Sequence, residues 1–183
     1  MRILKVKFGA LALAGAAMAL MMSGGTALAG TPPMHHHRTT TGPEAIFGAV
    51  FGRAANSPKP VIPVKLVGVV NTTGFVFVRP GRFHTIPTRR GRLNVLDIGK
   101  PQIRQTVDFR KCFATFTLRQ VALVVGGTGA FWHAHGPAAY QLFHAAFFPR
   151  SHKGKCWFKG RPLDKGAVLS FLATAVLTVK THK

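Results

Sequence analysis

The sequence predicts an all-β domain closed into a barrel, preceded by a cleaved export signal and a flexible N-terminal segment. Three observations carry this reading. From position 61 onward, runs of β-branched and aromatic residues are separated by Gly and Pro clusters, the punctuation of strands and turns. The run 121–125 is apolar at every position and 167–179 alternates only in part, so residues on both faces are expected to be covered. That suits a closed barrel with an occupied interior, or a strand lying under another element. The first 29 residues have the layout of a secretory signal.

Composition limits what such a domain can do. With 183 residues, 47% hydrophobic and 16% charged, the chain is long enough for one domain with a sizeable core, and its 15 Phe and 2 Trp supply bulk. Disorder of the whole chain is excluded by that apolar content. Charge is lopsided: 25 Lys and Arg against 4 acids give +21. Glu44, Asp97, Asp108 and Asp164 are the whole acidic supply and lie far apart in sequence, which disfavours a Ca²⁺ cage or a two-metal centre.

In chain order, Arg2, Lys5 and Lys7 precede the apolar run 8–22, and Ala27-Leu28-Ala29 gives a small-x-small cleavage pattern. The alternative is a retained anchor, for which the run is short, since a spanning helix needs ~20 residues. After cleavage, 22 Lys and Arg face the 4 acids, leaving +18. An exported chain with two cysteines, Cys112 and Cys156, allows one intramolecular disulfide. It would close a loop of about 45 residues and stabilise by roughly 4 kcal/mol. Paired metal-binding thiolates are the alternative, without a CxxC or Cys/His spacing to support them.

Residues 30–60 read as a linker rich in Pro, His and Thr, including His35-His36-His37. Within it, Ile46, Phe47, Val50, Phe51 and Ala54 are spaced as on a helix, with Pro43 suited to a first turn. The segment 43–55 is thus a short capping helix or part of a mobile tail. The barrel domain is placed at 61–183, with strands at 64–70, 75–79, 93–98, 112–125, 130–135, 138–148, 155–159 and 167–180. Asn71 to Gly74 reads as a hairpin turn. A helix is the competing reading of the last segment, but Val168, Phe171, Thr174, Val176, Thr178 and Val179 favour a strand.

One stretch has family character. Gly126-Gly127-Thr128-Gly129, Phe131, Ala134, Gly136 and Ala138 fill every fixed position of GGTG-x-F-x-x-A-x-G-x-A. This resembles a hairpin of the dirigent and allene oxide cyclase-like barrels, including small secreted bacterial members. In those members a Cys opens the preceding strand, as Cys112 does here, and a later Cys matching Cys156 ties a loop back to it. The resemblance covers 112–138. It implies an antiparallel closed barrel of about eight strands whose apolar interior can hold a small ligand. The family includes cyclases of fatty-acid epoxides and proteins that steer phenolic radical coupling. That chemistry does not carry over directly, because His135 stands where the dirigent pattern has Arg and no acid lies near the hairpin in sequence. The glycines permit positive φ at the turn, Thr128 can hydrogen-bond across it, and Phe131 fills the space beside it.

For chemistry, His133 and His135 are two apart, so on a strand they share a face with Phe131. Such a pair can hold Zn²⁺ or Cu²⁺ with His144 as a third ligand, but without a carboxylate the reading is an imidazole pair carrying no metal. His133, His135 and Tyr140 are the catalytic candidates for an isomerase or cyclase acting inside the barrel. No Ser stands in a GxSxG elbow, and the sequence implies no cofactor and no metal site. The chain is under-equipped as an enzyme.

The basic loops say more. Arg79, Arg82, His84, Arg89, Arg90 and Arg92 form one cluster. Arg150, His152, Lys153, Lys155, Lys159 and Arg161 form a second, interleaved with Trp157 and Phe158. Such clusters attract polyanions: anionic head groups, cell-wall phosphate polymers, acidic polysaccharides or extracellular DNA. A solvated surface without a specific partner is the plain alternative, and sequence-specific nucleic-acid binding is not expected. The expected function is therefore a secreted, basic binding barrel held to the anionic cell envelope, with room for an apolar small molecule. A cationic effector of membranes or nucleic acid is a further alternative.

Overall fold

The computed structural model describes residues 38–181. The expected signal segment, the rest of 30–37 and the His35–His37 run lie outside the described residues. Eight antiparallel strands follow one another around a closed barrel: β1 (Arg38–Phe51), β2 (Val61–Gly68), β3 (Thr72–Phe77), β4 (Phe83–Thr88), β5 (Gly91–Asp108), β6 (Phe113–Gly129), β7 (Gly136–Phe147) and β8 (Leu163–Thr181). The first strand closes the ring on the last, with Arg38 opposite Thr181 and Phe51 opposite Val168. A single 3-10 turn, Gly52–Ala54, follows β1.

Alternation along each strand fills the barrel. Ile62, Val64 and Leu66 of β2 point inward while Val61, Pro63, Lys65 and Val67 point outward. The same period puts Leu93 and Val95, Ala122 and Val124, and Leu169, Phe171 and Ala173 into the common core. Ile62, Leu66, Leu93 and Leu177 are fully buried, each contributing roughly 1.5–3 kcal/mol.

The GGTG hairpin is built as its residues suggest, with one change of partner. Gly129 has φ +61°, and a Cβ on Gly127 would lie 2.6 Å from Phe131 Cβ and 2.3 Å from the Arg92 carbonyl. Phe131 is fully buried under this turn. The Thr128 hydroxyl accepts from the Arg92 N–H (3.2 Å), on the neighbouring β5 rather than across its own turn.

Several expectations are corrected. The segment 43–55 is not a helix or tail: 43–51 is barrel wall, bonded to β2 on one side and β8 on the other. The barrel therefore begins by residue 38, inside the supposed linker. Phe47 and Phe51, counted toward a helical stripe, face outward and are exposed, while Glu44 and Ile46 point in. Pairing with two neighbours satisfies more backbone groups than one isolated helical turn could. Residues 130–135 are the β6–β7 turn, and 155–159 lies in the β7–β8 loop, where only Arg150 and Cys156 bridge. The strand β4, with Pro87 and a single buried residue, Ile86, escaped the sequence reading. The turn expected at 71–74 sits two to three residues earlier, at 69–71, and 72–74 already belong to β3. Val121, Leu123 and Val125 are exposed on the outer wall rather than covered on both faces.

In an up-and-down barrel, successive connections alternate between ends. The connections 52–60, 78–82, 109–112 and 148–162 share one end; 69–71, 89–90 and 130–135 share the other. The bridge Cys112–Cys156 lies at the first, called here the disulfide end. There β5 outruns β4, which pairs only with 91–96, so 98–107 extends beyond the ring as an exposed edge. Lys100, Pro101 and Arg104 blunt that edge against pairing with another chain.

Candidate functional site

The inward rows are mainly apolar, and a few polar residues interrupt them. On β5 the row Leu93, Val95 ends in Asp97; on β7, Tyr140 stands between Ala138 and Leu142; on β4, His84 precedes Ile86; on β1, Glu44 precedes Ile46. The barrel gathers these positions, scattered in sequence, around a cavity of about 120 Å³. Tyr140, His84 and Glu44 line it, with walls such as Ile46, Val95 and Phe171, and Arg79 stands at its edge.

Asp97 sits behind the lining and holds two of its members. Its Oδ2 accepts from the Tyr140 hydroxyl at 2.8 Å and from His84 Nε2 at 3.1 Å. Because this oxygen accepts, His84 carries a hydrogen on Nε2. The strand ladder continues outward, with Asp97 N–H donating to Arg82 O (2.7 Å) and the Arg82 guanidinium donating to Asp97 O (3.3 Å). Burial first, then the Asp97 hydrogen bond and charge, push the Tyr140 phenol above its ordinary range. Tyr140 is therefore a phenol whose proton is committed to Asp97 and whose oxygen lone pair remains available.

Glu44 is almost wholly buried, and its Oε2 accepts from the Val70 N–H at 2.9 Å. Its Oε1, like Asp97 Oδ1 and Gln120 Oε1, is buried without a protein partner. Unpaired buried acceptors are costly, and of these three residues Glu44 is the one that lines the cavity. Burial raises the Glu44 carboxyl, opposing the lowering effect of the Val70 and Val69 amides. A raised native pKa favours folding fully below the ordinary carboxylate pKa, and that contribution is lost as pH rises through the native value. Glu44→Gln should therefore match the parent near pH 4 and exceed its stability at neutral pH. Guanidinium midpoints at the two pH values check this; a variant no more stable than the parent at pH 7 would show that the carboxylate is not strained.

The residues proposed from sequence fare differently. Tyr140 points into the cavity. His133 and His135 do not: both are exposed in the β6–β7 turn, and His133 has φ +54°. They do not form the strand pair expected, and His135 Nδ1 lies 3.0 Å from the His133 carbonyl. His144 is half-buried, 3.3 Å from Asn56 Oδ1, and desolvation lowers its pKa. Among the described residues no group of three or more His, Cys, Asp or Glu is placed to hold a metal ion.

The basic cluster 79–92 is divided by β4. Arg79 and Arg82 lie at the disulfide end, Arg89 and Arg90 at the opposite end, with Arg92 just inside β5. Arg150, Lys153, Lys155, Lys159 and Arg161 are exposed in the β7–β8 loop, on the side of Arg79 and Arg82. Arg79 stacks over Phe77 at 4.9 Å, and Arg161 reaches Asp164 at 3.7 Å.

Sequence reasoning missed Glu44 and His84 as cavity groups and Asp97 as the carboxylate behind the lining. The available signal was a charged or polar residue continuing an i, i+2 apolar row, as in Leu93, Val95, Asp97. Comparison with protein-family models, with curated proteins and with solved structures finds no match to this chain.

Proposed function

We propose that this chain is an exported, basic binding barrel that takes a small, mainly apolar molecule bearing one hydroxyl group, while its cationic surface holds it to anionic material of the cell envelope. The observation that carries the ligand reading is the pairing of an apolar cavity with a buried acceptor: Glu44, whose Oε1 has no protein partner, lines the cavity together with Tyr140. A cavity of about 120 Å³ is close in size to the ~150 Å³ apolar cavity that accepts benzene, which limits the ligand to about one ring. The hairpin resemblance to dirigent and allene oxide cyclase-like barrels supports the same ligand class.

Binding is favoured over catalysis because Tyr140, the one sequence candidate that faces the cavity, holds its proton toward Asp97 and gives it up reluctantly. An isomerase or cyclase reading keeps one observation in its favour. Burial raises the Glu44 carboxyl, the direction a general acid needs.

Calorimetry with phenol and benzene tests the binding reading. Phenol should bind saturably and about tenfold more tightly than benzene, a difference of ~1.4 kcal/mol. Tyr140→Phe or Glu44→Gln should erase most of that preference. No saturable binding of either probe, or a preference unchanged in both variants, removes the reading.

A further inference from the structure

We propose that the disulfide end docks on an anionic lipid bilayer, with Phe109 and Trp157 entering the headgroup layer and the surrounding Lys and Arg residues engaging anionic headgroups. This rests on the anionic-partner reading only for the sign of the partner's charge, and it is independent of the cavity.

The turn 109–112 and the loop 148–162 form one stapled tip. They are joined by the Cys112–Cys156 bridge, by the Phe148 N–H donating to Cys112 O at 2.7 Å, and by the Arg150 guanidinium donating to the Arg110 carbonyl. Phe109 packs edge-on against Phe158, with ring centroids 5.5 Å apart, and Phe158 in turn packs on Phe148. Asp108 caps the turn by accepting from the Arg110 and Lys111 N–H groups. Despite its contact, Phe109 remains 73% exposed, the most exposed large apolar side chain among the described residues.

Trp157 is 55% exposed and also held in place. Its backbone N–H donates to Pro149 O at 2.9 Å, and its ring rests against Gly160, where a Cβ would come within 2.8 Å. Around these rings Arg110, Lys111, Lys153, Lys155 and Lys159 are exposed, and neither connection contains an acid.

An aqueous polyanion neutralises the cations but gains little from a protruding Phe, whereas a bilayer interface rewards both groups. Trp and other aromatics settle at the headgroup level, and an anionic leaflet attracts Lys and Arg close to its surface. The lysine stems are long enough to reach phosphates while the rings sit deeper. Order at the tip lowers the cost of binding, because the staple has already fixed the anchors.

The test compares the parent with Phe109→Ser/Trp157→Ser on phosphatidylcholine vesicles with and without about 30% phosphatidylglycerol. The parent should partition at least tenfold better onto the anionic vesicles. The double variant should lose about tenfold in that partitioning yet leave heparin at the same salt as the parent. In Trp132→Phe, Trp157 is the remaining tryptophan of the two, and its emission should shift to the blue on anionic vesicles. Equal partitioning of parent and double variant, or unmoved Trp157 emission, overturns the proposal. Retention of the parent on heparin or single-stranded DNA without vesicle partitioning also overturns it, while leaving the anionic-partner reading in place. Elution from heparin with a neutral control, together with no vesicle partitioning, removes both.

Discussion

Phe131→Ala is expected to cost about 3–5 kcal/mol of unfolding free energy, the range for deleting a large buried aromatic side chain. Phe131 is fully buried beneath the β6–β7 turn, where the chain winds through Phe131 N–H to Thr128 O (3.2 Å) and Ala134 N–H to Phe131 O (2.9 Å). Gly127 and Gly129 bring backbone too close for a side chain to swing in and refill the space. The site cannot collapse easily, so the cavity term should persist. Guanidinium unfolding should show a lower midpoint with an unchanged slope. A loss below about 1 kcal/mol would mean that the turn relaxes and that Phe131 is not its keystone.

Replacing both cysteines by serine should cost about 2–4 kcal/mol. The bridge spans 44 residues and encloses all of β6 and β7, so its removal frees a long segment of the unfolded chain. Its second effect is local. Without the bridge, the loop 148–162 keeps the Phe148–Phe158 contact, the Trp157 amide bond and the Arg150 carbonyl bonds, and proteolytic nicking should concentrate there. The cavity lies among the inward rows of the closed ring, so phenol binding should survive in the same variant. An unchanged midpoint, or cleavage elsewhere before cleavage in this loop, would assign the bridge a smaller part than its position suggests.

The two predictions differ in how far the sequence foresaw them. Phe131 belongs to a local pattern whose glycines, threonine and aromatic all act within one turn and its immediate neighbours. Such features are legible because their cause is short-range. The disulfide followed from there being two cysteines and one way to pair them. The strand character of 167–180 was likewise written in its β-branched residues.

The candidate site was far less legible. Tyr140 was singled out, but its partner Asp97 stands 43 positions away and Glu44 another 53 before that. No spacing rule connects residues on separate strands that only their pairing brings together. The helix expected at 43–55 failed for the same reason: apolar residues at 46, 47, 50, 51 and 54 fit a helix locally, and pairing with β2 and β8 overrides that preference. The basic cluster 79–92 reads as one patch in the sequence, yet β4 carries its two halves to opposite ends.

By itself, the sequence determined the strand-rich class, the glycine-built hairpin, the cysteine pairing and the excess of positive charge, because each depends on composition or on neighbours within a turn. Which polar groups share the interior, and which cations and aromatics share an end, was decided only by the tertiary structure. Strand direction and inward or outward facing are fixed by pairing partners distant in sequence, and a shift of one residue in register would turn every one of those side chains to the other face.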